Sequence, residues 1–468
     1  MRLTRFYIWA ICLLTPLGML LTGCRDSLRH KVHPSDPEIP RQIIAASDVE
    51  SYALSDPACQ SNVDAGIPLE SATLDLWNDG ALAPVMRDLA PLAIHSAPLG
   101  GPVATRAMIG SVFSRDCDSD AAGPPDCLDK HHQSSGFSLK TEGTPLKICH
   151  PSLTPPKNSL EQIALTTIEA VESAALTLRA NMPAGTVIEP VTILVMPRFQ
   201  SLWLPWTHNG ANAGYEMLIA DNLAYFPATA ATPPYIAVFP KQKRDKETIS
   251  LWKSEFVIAH EFAHHIERSL RLDHFDSRRS LTRLAVSEGF ADVLAFASHG
   301  ASNRALKGIP CIEKDRAPDE FEFNAGIPKL IDRALLDRAS DREISFSSPS
   351  DVAGPCQGIL PHSAHGIGAI FAHWVWELSS YMPDYAANPG HVLTTVSIDW
   401  LARVETAIHA GTDDPKKDLE SVATALRDAV KSQFNNSSIP MTPNIRDLLR
   451  QKMSLAFPVL GERDWFPE

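Results

Sequence analysis

The segment His260-Glu261-Phe262-Ala263-His264 sets two imidazoles four residues apart. On a helix, positions i and i+4 share a face, so both rings can reach one metal ion. Glu261 is offset by one residue and lies beside that ion, where a carboxylate can take a proton from a water the metal activates. A catalytic zinc takes three protein ligands and keeps a fourth position open. A third ligand is therefore expected on a neighbouring element, and Glu288 offers one within Ser287-Glu288-Gly289-Phe290-Ala291-Asp292. Glu288 and Asp292 also share a helical face. Glu288 can coordinate while Asp292 accepts a hydrogen bond from a ligand histidine and fixes its ring. Gly289, Phe290, Ala291, Val293 and Leu294 surround the two acids, which predicts packing inward rather than a solvated acidic face.

The elements that must hold these residues can be read from periodicity. A helix is expected from about Lys246 to Leu270, a second over Ser280 to Ser298 and a third over Gly366 to Leu378. Ahead of them, Ser159-Leu160-Glu161-Gln162 fits a capping box and opens a helix with one apolar face, from Leu160 through Leu178. Val191 to Met196 and Tyr235 to Phe239 read as strands, as does Tyr215 to Ala220, a candidate sheet edge for an extended peptide. Leu419 to Phe434 and Ile445 to Leu455 read as surface-packed helices, and Leu69 to Leu92 as short helices in a loop-rich region. His265 is expected to serve packing rather than ligation, as are Trp374 and Trp376, and His131 and His132 have no partners at ligand spacing.

His260-Glu261-x-x-His264 with Glu288-x-x-x-Asp292 resembles the gluzincin metallopeptidases, including the thermolysin-like and fungalysin-like enzymes. The resemblance covers about residues 159 to 385. It implies an α+β fold, a zincin-like catalytic domain of two lobes with the cleft between them: an N-terminal sheet with the active-site helix, and a mainly helical C-terminal lobe. It also implies one catalytic Zn2+ on His260, His264 and Glu288, with Glu261 as general base and Asp292 as the partner of a ligand histidine. His362-Ser363-Ala364-His365-Gly366-Ile367-Gly368 is similar to the histidine-then-glycine helix start found late in the gluzincin domain, where a histidine stabilises the oxyanion. His365 fits the fungalysin-like pattern and is preferred. His362 has the thermolysin-like spacing, and Tyr381 and Tyr385 are further candidates.

Arg2 and Arg5 precede an apolar run from Phe6 to Leu21, the pattern of an export signal too short to span a bilayer comfortably. It ends in Leu21-Thr22-Gly23-Cys24, which resembles the lipobox of bacterial lipoproteins. That resemblance makes Cys24 the lipidated N-terminus. Arg25 in place of an aspartate favours the outer membrane. Cys59, Cys117, Cys127, Cys149, Cys311 and Cys356 remain, an even set compatible with disulfides in an oxidising compartment.

The expected organisation is a signal peptide over 1–23 and a cysteine-containing, loop-rich region or tether over 24–156. The N-terminal catalytic lobe then occupies 157–300 and a helical C-terminal lobe 301–468. Acidic residues outnumber basic ones by 55 to 42, giving a net charge of −13 and excluding a basic nucleic-acid footprint. The expected partners are a peptide or protein substrate and, through the lipid, a membrane. Two rival readings remain: a non-catalytic zincin-fold lipoprotein acting as a binding module, and a zinc hydrolase of a non-peptide substrate.

Overall fold

The computed structural model describes residues 68–96, 99–112, 139–145, 152–155, 159–198, 202–208, 211–217, 222–228, 233–239, 251–270, 281–302, 364–409, 415–437, 439–457, 460 and 463–467. Cys24, the six other candidate disulfide cysteines, His131, His132 and His362 lie outside them.

Within the span expected to hold short helices, residues 71–88 form a hairpin, and only Ala90–Leu92 is a helical turn, of the 3-10 kind. β1 (Ser71–Asn78) pairs antiparallel with β2 (Ala81–Asp88) through Asp79-Gly80, both at positive φ (50° and 86°). That is the two-residue turn whose twist suits a hairpin, and Asp-Gly is one of its preferred sequences. Leu74 and Leu76 of β1 are fully buried, while β2 leaves Leu82 and Met86 exposed.

β3 (His95–Ser96) and β4 (Leu99–Gly100) form a small ladder ahead of β5 (Ala104–Val112), β6 (Leu139–Pro145) and β7 (Ser152–Leu153). Next comes α1 (Leu160–Arg179), whose N-cap Ser159 accepts from the Gln162 N–H as the capping pattern predicts. β8 (Val191–Arg198), β9 (Leu202–His208), β10 (Ala211–Met217), β11 (Asn222–Phe226) and β12 (Tyr235–Phe239) follow. The principal sheet has the order β11-β12-β8-β5-β6, with parallel pairing of β12 to β8 and of β8 to β5, and antiparallel pairing at both ends. It draws β5 and β6 from before residue 157, so the region expected to be loop-rich supplies two strands of this sheet. β9 and β10 form a separate two-stranded sheet. The described part of the expected Tyr215–Ala220 strand belongs there. The principal sheet ends instead at β11.

The helices are α2 (Glu255–Ser269), α3 (Leu281–Ser298), α4 (Ala364–Ser380), α5 (Pro389–His409), α6 (Pro415–Asn436) and α7 (Pro443–Ala456). α2 starts nine residues later than expected, because Ser254 caps it by accepting from the Val257 N–H. α1 packs on β8 and β5 and also meets α2 and α3. α3 lies at the centre of the helical half, against α2, α4 and α5. From Ala285 to Ala297 nearly every residue of α3 is buried, as expected for a helix apolar on all sides. The fold is α+β, with one continuous apolar core running from β1 to Phe466. No described helix is long and apolar enough to cross a membrane.

Candidate metal centre

His260 and His264 project from one face of α2, their rings 4.9 Å apart and edge to face. Glu288 projects from α3 toward both. Its Oε2 lies 3.2 Å from His260 Nε2 and 3.7 Å from His264 Nε2. The three residues offer ligand atoms all within 4.8 Å of one another. Donors held about 2.0–2.1 Å from a small tetrahedral cation would stand about 3.3 Å apart. The donor set therefore fits a metal ion with little adjustment.

The outer nitrogens are also engaged, and differently. His260 Nδ1 lies 2.8 Å from Asp292 Oδ1, a carboxylate with no solvent exposure. A proton on Nδ1 then faces Asp292, and the Nε2 lone pair is left for the metal. His264 Nδ1 lies 3.3 Å from Ser287 Oγ, and that hydroxyl donates to Glu267 Oε2 at 2.5 Å. The chain His264–Ser287–Glu267 fixes the second ring as Asp292 fixes the first. Glu267 is buried and itself lies 3.6 Å from His264 Nδ1. Sequence reasoning found Asp292 but missed Ser287 and Glu267. The available signal was the i, i+3 spacing of His264 and Glu267, with Ser287 directly before the third ligand.

The electrostatics follow from burial and from the acids around the two rings. Burial pushes the Glu261 carboxyl above its usual range, against the pull of His260 and His264, and neighbouring Glu288 adds to the rise. Burial alone would lower His264, but Glu267, Glu288 and Glu261 outweigh it and the net shift is well upward. Glu261 Oε2 accepts from the Tyr225 N–H at 2.8 Å, which places the end strand β11 directly beside the site.

α4 sets the position of Glu288. Gly289 and Gly368 meet where α3 and α4 cross, so closely that a Cβ on Gly368 would stand 2.6 Å from the Glu288 Cβ. A Cβ on Gly289 would stand 2.6 Å from the Gly368 carbonyl. His365 is the second residue of α4, one turn before this crossing. Tyr381 lies past the other end of α4, thirteen residues and about 20 Å of helix from Gly368. There it neighbours Lys452, which is paired with Glu377. Tyr381 is not brought to the metal ligands, and Tyr385 lies in the turn beyond it. Trp374 is buried against Phe371 and Phe457, as a packing residue should be.

No protein-family model matches the chain, and no curated protein matches it in sequence.

Proposed function

We propose that this chain is a zinc-dependent metallopeptidase of the gluzincin type, with a zincin-like two-lobe catalytic domain, anchored to the membrane as a lipoprotein through Cys24. The observation that carries the reading is the convergence of His260, His264 and Glu288 with the Glu261 carboxylate beside them. Two imidazoles and a carboxylate are the donor set of catalytic zinc, and three protein ligands leave a position open. Zinc bound there would lower the pKa of water toward about 7 and polarise a scissile carbonyl.

The chain's own residues do the rest. Glu261 takes the proton from the attacking water and passes it to the leaving amine nitrogen. Burial raises its pKa above the usual carboxylate range, which strengthens it as a base. Asp292 and the Ser287–Glu267 pair hold the two rings with their Nε2 atoms inward. An extended peptide would lie along β11, whose backbone already reaches Glu261. His365, or His362, would donate to the oxyanion.

The test is zinc stoichiometry by elemental analysis, followed by turnover of a quenched-fluorescent peptide library. The expected result is one zinc per chain, with Glu261→Gln keeping the metal and losing about 10²–10⁴-fold in turnover. A chain that binds no zinc after reconstitution sinks the reading. A zinc-loaded chain that cleaves no peptide moves the assignment to a binding module or a non-peptide hydrolase.

A further inference from the structure

His265 directly follows the second ligand histidine and is buried, with its ring nitrogens facing Glu189 and Tyr225. Its Nε2 lies 2.6 Å from the Glu189 carbonyl oxygen. A carbonyl only accepts, so Nε2 carries a ring proton, and in the neutral imidazole Nδ1 then presents its lone pair. Nδ1 lies 3.3 Å from the Tyr225 hydroxyl, which must therefore be the donor. The ring is fixed from the far side as well. Ser269 Oγ bonds the His265 carbonyl and accepts from the Glu189 N–H, so Glu189 is held by two residues one turn apart on α2.

Tyr225 thus touches α2 twice. Its hydroxyl is held by His265, and its backbone N–H, which points out of the principal sheet, donates to Glu261. Among the described residues β11 is an end strand of the principal sheet, paired with β12, and its other side faces α2. We infer that His265 and Tyr225 form a latch that sets β11 against α2 and, through the Tyr225 N–H, orients the carboxylate of Glu261. Both act through Glu261 and are positioning residues. The catalytic half of this inference rests on the peptidase reading, whereas the placement of β11 does not.

The test compares Tyr225→Phe, His265→Ala and His265→Gln with the parent, using full-length, zinc-loaded protein. Amide hydrogen exchange is followed at residues 222–226, alongside zinc content, kcat and KM on a cleaved peptide. One lost hydrogen bond contributes about 1 kcal/mol, or roughly fivefold. Tyr225→Phe and His265→Ala should each speed exchange at Tyr225 about fivefold and lower kcat by a similar factor, with KM and zinc content held. Glutamine can donate to Glu189 and accept from Tyr225, so His265→Gln should recover most of both losses. The double variant Tyr225→Phe/His265→Ala should be no worse than either single change, since they break one connection.

Parental exchange at Tyr225 in Tyr225→Phe, which removes a single oxygen and leaves the core intact, overturns the latch. Additive losses in the double variant overturn it too. Faster exchange in a protein that cleaves no peptide keeps the latch and removes the peptidase reading, so the two failures are distinct.

Discussion

Two groups of buried carboxylates meet α2, one at its first turn and one halfway along. At the first turn, Arg87 of β2 pairs with Glu255 and lies 3.6 Å from Glu169 of α1. Burial, followed by the charge of Glu255, pushes the Glu169 pKa up to about 8 against the pull of Arg87. Halfway along, Glu288 faces the lone-pair nitrogens of His260 and His264. A guanidinium brings a permanent positive charge and no lone pair, so the first group settles its electrostatics with one arginine and a retained proton. Imidazole can bring a lone pair instead, so the second group can hold a metal ion. Residue type alone does not say what a buried acid is for. Its neighbours do.

The contrast predicts opposite responses to the same substitution. Glu288→Gln should reduce zinc from one per chain to near zero and abolish turnover, while Glu169→Gln should leave zinc at the parental level by elemental analysis. Equal zinc loss in both would erase the distinction. Next in size, Asp292→Ala should weaken zinc binding about 10–100-fold, measured by competition with a chromogenic chelator. Glu267→Gln should fall in the same range, because Glu267 holds His264 through Ser287. A smaller effect is expected at the helix crossing. Gly368→Ala should destabilise the fold by about 1–3 kcal/mol in thermal unfolding and loosen zinc as Glu288 is displaced.

The smallest effect is a slope. Glu169 holds its proton to about pH 8 when folded, against an ordinary value of 4.5. The native state therefore binds the extra proton between those values. Its contribution to stability is complete below about pH 4.5 and is lost as pH rises toward 8, by at most about 1.4 kcal/mol per pH unit. Glu169→Gln should flatten the denaturant-midpoint profile over that window. An unchanged profile would place the titration elsewhere.

The site was legible where one helix carries both members of a pair. His260 with His264 and Glu288 with Asp292 are i, i+4 pairs, and the structure brings them together as that spacing requires. The Ser159 cap and β12 were legible for the same reason, since both are local. What was missed depends on distant partners. Nothing in Asn222–Phe226 announces an end strand beside α2, because that follows from parallel pairing of β12 with β8 and of β8 with β5. α5 passed unnoticed because Pro389-Gly390 opens it and threonines and β-branched residues interrupt its pattern. The β1–β2 turn was readable in Asp79-Gly80, but the span around it read as short helices in a loop-rich region.

The Gly289–Gly368 crossing also bears on when the centre can exist. During synthesis, His260, His264 and Glu288 emerge together, well before α4. The backbone that fixes Glu288 in place arrives eighty residues later, with Gly368. A chain halted before Ala364 holds every ligand and lacks the surface that aligns the third. The Glu288 side of the cluster is thus complete only once α4 has docked on α3.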